Sequence, residues 1–226
     1  MNRLPNARVL ARPVLIACLA VSLGTMGGCF IPALIGGMAE SYAESANHTV
    51  EAEYTGLQGK TFAIVVTADR SIEASFPALV PAVTQRMFDY FYKSGTGTGG
   101  IAPAQSLAFL YNNPRWLIRP RSELAKELGV DRIVDVEIQE FRLNDPGNSY
   151  LWEGVAMGTV GVIELESPTP DLYTFEKHVM VKFPDKSGMG PNELKGAVVQ
   201  TELMRRFVDR SAWPFFTHEE KMRPDY

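Results

Sequence analysis

Cysteine is scarce in this chain, with two in 226 residues, and both of them, Cys18 and Cys29, stand among the first thirty positions. Such a distribution leaves no framework for intramolecular disulfides in the remaining 197 residues. Histidine is equally sparse. His48, His178 and His218 are far apart and on different segments, so no His or Cys pair has the spacing of metal ligands, and no metal site is expected. No run of Lys or Arg occurs, and the net charge is −4, so the electrostatic footprint of a nucleic-acid binder is missing. The Gly-x-Ser-x-Gly turn of an esterase is absent too. Gly95-x-Gly97-x-x-Gly100 has the letters of a dinucleotide loop. It follows a helical pattern instead of a strand, though, and Ile101-Ala-Pro103 comes after it, so no helix amides would face a phosphate. The expectation is a chain without cofactor, metal or nucleic acid, and one that is not an enzyme.

Acidic residues are also lacking from the first 28 positions, which carry Arg3, Arg8 and Arg12. Those arginines precede the apolar run PVLIACLAVSLG and then small residues, the layout of a secretory signal peptide. Met26-Gly-Gly-Cys-Phe30 closes it and resembles the lipobox of bacterial lipoproteins, with Met26 where that family usually has Leu. The resemblance implies cleavage after Gly28 and acylation of Cys29. Cys18 fits the letters better, but cleavage there would leave only five residues after Arg12 as a hydrophobic region, fewer than the roughly seven required. An uncleaved anchor helix is the other reading, weakened by glycines at positions 24, 27, 28, 36 and 37. The expected organisation is a signal peptide over 1–28, a lipidated cysteine and tether over 29–58, and a globular domain over 59–226. Acyl chains on Cys29 would hold the domain to a bacterial membrane facing the periplasm, the outer membrane in preference to the inner.

Within the domain, Thr61–Thr67 reads as a buried strand, and Val80, Val83, Met87 and Phe91 recur at helical spacing as far as Lys93. Arg115–Arg119 reads as a short strand. Pro120 starts and Gly129 stops a helix, and Arg132–Phe141 is a strand in which Val134, Val136 and Ile138 alternate with Asp135, Glu137 and Gln139. Two further strands, Tyr150–Glu166 and Leu172–Phe183, form a hairpin, and an amphipathic helix spans about Asn192–Arg210. The order β-α-β-α-β-β-β-α predicts an α+β domain with a mixed or mostly antiparallel sheet and helices packed on one face. The AIVV strand with its helix, followed by Ser122-Glu-Leu-Ala-Lys-Glu-Leu-Gly-Val-Asp-Arg-Ile-Val-Asp-Val-Glu137, resembles the stretch shared by the TolB amino-terminal domain, the curli-secretion lipoproteins and the penicillin-binding-protein activator lipoproteins. The resemblance implies a fold and an envelope location. Those families often have Gly where Asp135 stands, and no functional residue is carried over.

Glu164 and Glu166 share a strand face and read as a solvated strand end; His178 reads as a solvated or hydrogen-bonded strand residue. The aromatics carry more. On the helix, Phe88, Phe91 and Tyr92 share one side and leave Tyr90 on the other. Trp213, Phe215 and Phe216 follow the last helix, which Pro214 prevents from continuing. These rings either cap the domain or, together with Tyr90, form a contact for an envelope protein or a second copy of the chain. The functional expectation is a lipid-anchored interaction protein acting in envelope assembly, transport or wall maintenance, with an envelope enzyme as the alternative.

Overall fold

The computed structural model describes residues 47–96 and 99–221; Cys29, the leader and most of the tether lie outside them. A four-stranded sheet has the order β2-β3-β4-β5, with β2 Phe62–Ala68, β3 Arg132–Arg142, β4 Gly154–Glu164 and β5 Phe175–Phe183. β2 runs parallel to β3, and the other neighbours are antiparallel, so the sheet is mixed. β1 Asn47–Val50 and β6 His218–Lys221 pair as a separate two-stranded sheet. The α+β class and the hairpin β4–β5 agree with the expectation.

A parallel β2–β3 pair needs a long crossover. It is built from α1 Arg70–Ser75, α2 Leu79–Lys93, α3 Pro103–Asn112, a 3-10 turn Pro114–Ile118 and α4 Arg121–Leu128. α5 Gly196–Ala212 and a 3-10 turn Trp213–Phe215 follow β5. The period-2 alternation of the strands divides the side chains between two faces. On the first face, Phe62, Ile64, Val66, Val134, Val136, Ile138, Val160, Val162, Val179 and Val181 meet Val83, Met87 and Phe91 of α2 and Leu203 and Phe207 of α5. On the second face, Ala63, Val65, Ile133 and Ile163 meet Leu110 of α3, Trp116, and Leu124 and Leu128 of α4. The one-face expectation therefore describes the two long helices; α3 and α4 cover part of the other face.

Two local readings are corrected. Arg115–Arg119 is not a strand: Pro114 sets a helical φ, Trp116 N–H donates to the Asn113 carbonyl at 2.9 Å, and Arg119 N–H to that of Trp116 at 3.1 Å, closing a 3-10 turn. α3 escaped the sequence reading, although Pro103 at its first position and buried Ser106 and Leu110 carry its signal. Two details also shift. Leu57, in the stretch read as tether, is fully buried, and the Glu53 and Tyr54 amides donate to the Pro214 carbonyl at 2.8 and 2.9 Å. At the far end of the glycine run, Gly99 and Ile101 bond to Phe62 along the edge of β2. A Cβ on Gly99 would lie 1.9 Å from the Lys60 carbonyl oxygen, so only glycine allows that approach.

Candidate functional site

The second face of the sheet changes character halfway along β3. Below, Ile133 is sealed under α3 and α4; above, the same side of the strands carries Asp135 and Glu137 on β3, Thr67 on β2, Thr159 on β4, and Glu176 and His178 on β5. A β-bulge between Ile138 and Glu140 turns the end of β3 and places Gln139 beside this row, its amide donating to the Thr159 hydroxyl at 3.4 Å. A cavity of about 360 Å³ opens there, lined among others by Asp69, Leu117, Arg121, Asp135, Glu137 and Tyr173.

Asp135 forms its floor and is 4% exposed. One carboxylate oxygen, Oδ2, accepts from Arg121 Nε at 2.9 Å and from the Tyr173 hydroxyl at 3.1 Å. The other, Oδ1, has no hydrogen-bond donor among the described residues. A buried polar atom left bare costs about 1–3 kcal/mol, more when charged, so this oxygen is the least satisfied polar atom on the face. The partners are held in place by their own neighbours. Arg121 opens α4, and its guanidinium lies 5.0 Å from the Trp116 ring centroid. Asp171 accepts from the Ser122 amide at 3.1 Å and so pins the β4–β5 loop to the start of α4. Tyr173 can lie over β4 because Gly161 stands opposite Asp135; a Cβ there would sit 2.5 Å from the tyrosine ring. Burial, then the Asp135 charge, pushes the Tyr173 phenol up, so it remains a donor at neutral pH.

Thr159 and His178 stand across the β4–β5 pair with Oγ1 and Nδ1 2.9 Å apart. Such a pair has the form of nucleophile and base. The Thr159 hydroxyl is nearly buried and already takes the Gln139 amide, whereas the imidazole lies exposed, as the sequence reading expects. Glu164 and Glu166 are more than a solvated strand end. Arg132, buried at the start of β3, donates to Glu166 through two nitrogens at 2.5 and 2.8 Å, and the Tyr54 hydroxyl donates to Glu164 at 2.6 Å. These bonds fasten the 54–60 segment to the sheet. Hydrogen bonds from Arg132 and Lys60 hold the Glu166 carboxyl down at about 2.

The aromatic residues singled out by sequence divide between core and surface. Phe215 is buried, edge-on to Tyr54, Phe91 and Phe175 at centroid distances of 5.9, 5.1 and 5.6 Å, and has no face left for a partner. Tyr90 and Phe216 are half-buried and stack at 6.2 Å, an encounter between α2 and the tail that spacing alone could not reveal. Trp213 stacks on His218 at 4.7 Å and carries the Arg210 guanidinium at 4.9 Å. Tyr92, assigned to the core side, is exposed and stacks on Phe88. The Tyr90 hydroxyl donates to Asp209, whose carboxyl burial pushes up, at the wall of a groove of about 340 Å³ that Arg86, Lys93 and Arg205 also line. Among the described residues no group of three His, Cys, Asp or Glu side chains could hold a metal ion, and no described helix is long and apolar enough to cross a membrane.

No family model matches the chain, and no curated protein matches it. Solved structures with a similar course include PelC from Paraburkholderia phytofirmans, crystallised as a dodecamer, at 11% identity, covering 75% of this chain and 95% of that one with a TM-score of 0.43. Lipoprotein GNA1162 from Neisseria meningitidis matches at 10% identity over 67% of this chain and 97% of that one, TM-score 0.43. Protein XCC0632 from Xanthomonas campestris matches at 8% identity over 72% and 83%, also with a TM-score of 0.43. At such values nothing about ligand, partner or assembly passes from these proteins to this chain.

Proposed function

We propose that the chain is a lipid-anchored binding domain of the bacterial cell envelope, facing the periplasm, that acts in envelope assembly, transport or wall maintenance by holding a partner instead of turning over a substrate. The observation that carries this reading is Met26-Gly-Gly-Cys29 at the end of an arginine-led apolar run. Cys29 would become the acylated first residue, and two or more acyl chains convert marginal attachment into stable anchoring. The likeness of residues 122–137 to the envelope families named above supports the same location. Two features support binding over catalysis. The half-buried rings of Tyr90, Trp213 and Phe216 offer apolar area at one surface, and the hydroxyl of the Thr159–His178 pair is buried away from any attacking position.

Intact mass spectrometry of the membrane-extracted protein tests the anchor. The expected mass is that of residues 29–226 plus acyl chains, and Cys29→Ser should abolish both the added mass and retention in the membrane fraction. A native chain that keeps Met1, or starts at Cys18, removes the basis of the proposal.

A further inference from the structure

We propose that β5 is a self-pairing edge: two copies of the chain join through it, antiparallel about a two-fold axis at Val179, so that their four-stranded sheets become one continuous sheet. β5 is the terminal strand of the order β2-β3-β4-β5, and its pairing with β4 runs to Phe183 without a bulge. Such an edge presents unpaired N–H and C=O groups over about 30 Å, at roughly 3.3 Å per residue. The opposite edge is finished differently, since Gly99 and Ile101 bond to Phe62 of β2. On β5 the Lys182 carbonyl accepts from Arg206 at 2.9 Å, and its second lone pair leaves it able to accept from a strand as well. Glu176, His178, Met180 and Lys182 alternate along the exposed side of the strand, and Met180 keeps 55% of its surface in water.

Charge selects the occupant and the register. A two-fold axis perpendicular to the sheet sets each residue opposite one on the same face, so registers differ by steps of two residues. Centred on Val179, the strand FEKHVMVKF sets Glu176 opposite Lys182 of the second copy and, by symmetry, Lys182 opposite Glu176. Val179 then meets itself, and Phe175 meets Phe183 at both ends. No other register of this strand against itself places its glutamate opposite a lysine on the same face: centred on His178, Glu176 meets Met180, and centred on Met180, His178 meets Lys182. Opposite charges directly across a strand pair stabilise it, and like charges destabilise it. Lysines on an edge ordinarily discourage such pairing. Here Lys177 is already ion-paired with Glu53, and Lys182 finds Glu176 in the second copy, so neither charge opposes the contact. One strand and its flanking side chains make a small interface, for which a micromolar Kd is expected. Nothing in this inference depends on how the chain is anchored.

The test uses the full chain in a non-ionic detergent, as a mixture of unlabelled and isotope-labelled copies treated with a zero-length carbodiimide coupling reagent. Digested peptides should contain a Glu176–Lys182 amide that joins one light and one heavy copy. Within one strand those side chains stand about 20 Å apart, at roughly 3.3 Å per residue, so the bond does not form inside a chain. Sedimentation should show a monomer–dimer equilibrium. Glu176→Lys should weaken the dimer about tenfold, because it sets two like-charge pairs across the axis. Lys182→Glu should weaken it too, although Lys182 also faces Asp145 and Glu153 of its own copy, which makes Glu176→Lys the cleaner reversal. The double exchange of Glu176→Lys with Lys182→Glu should return the affinity to within about threefold of native, a rescue that damage to the fold would not give. A chain that stays monomeric at about 100 µM, where a micromolar dimer is largely formed, would overturn the proposal. So would a dimer whose affinity ignores both reversals, or an assembly without the mixed Glu176–Lys182 bond.

Discussion

The two faces of one sheet have been finished differently. The first is apolar along its whole length and closed by α2 and α5, so that Val134, Val136, Val160, Val162 and Phe207 are all buried. The second is closed only over Ala63, Val65, Ile133 and Ile163; beyond Asp135 it carries carboxylates, a threonine and a histidine and is left open. Both faces use the same strands and the same alternation. Side-chain chemistry at every second position decides which half a helix covers, because a helix laid over Asp135, Glu137 and Thr159 would have to desolvate them without partners. The closed face supplies stability, and the open half is where a ligand has room.

The largest break in this comparison should come from the closed side. Phe215→Ala removes a ring packed on three others, and unfolding free energy by urea titration should fall by about 3–5 kcal/mol. A loss below about 1 kcal/mol would mean that the tail does not cap the core. The same substitution at Trp213 should cost much less, since that ring is only half-buried.

Glycines on β4 give a matched pair, one per face. At Gly158 a Cβ would lie 2.2 Å from the Glu137 carbonyl oxygen and 3.0 Å from the Phe207 ring, so Gly158→Ala should cost about 1–3 kcal/mol through backbone displacement in a closed layer. At Gly161 the obstacle is the Tyr173 ring, which borders solvent and can swing away. Gly161→Ala should therefore cost less, while one tyrosine returns toward its ordinary ionisation near 10 in a spectrophotometric titration, having left Asp135. If both alanines cost the same and no phenol moves, the faces are not distinguished in this way.

The smallest effect lies at the sheet's lower edge. Glu166 is held at about 2, below its ordinary 4.5, by hydrogen bonds from Arg132 and Lys60. With the folded value depressed, its stabilisation is complete above the ordinary value and is lost as pH falls toward about 2. Urea midpoints measured from pH 6 down to 2 should decline less steeply in Glu166→Gln than in the native chain, and the exposed side chain keeps the difference modest.

Most of this architecture can be read in the chain because its periodic signals are local. The β-branched run at β2, the alternation of β3, the Pro120 and Gly129 limits of α4 and the heptad-like spacing in α2 each lie within a dozen residues. What escaped reading depends on distance. Asp135 looks like one more polar residue on a half-solvated strand until Arg121 and Tyr173 converge on it from a helix and a loop. Tyr90 and Phe216 meet only because α2 and the tail share a surface. Arg115–Arg119 was misread since Trp-Leu-Ile satisfies strand propensity, whereas the prolines on either side impose a turn. The Asp135 site did leave one signal in the sequence: an acid set into an otherwise β-branched strand run, Ile133-Val134-Asp135-Val136.

The two hydrogen bonds from Glu53 and Tyr54 to the Pro214 carbonyl, with Phe215 wedged against Tyr54, set an order of events during folding. Residues 53–57 emerge early and Trp213–Phe216 late, yet neither group has its partner without the other. The entry segment must stay unlatched until almost the whole chain is available, and this final clasp, once shut, joins the start of the domain to the part that is made last. Any pull on residues 53–57 is then shared by the carboxyl-terminal rings.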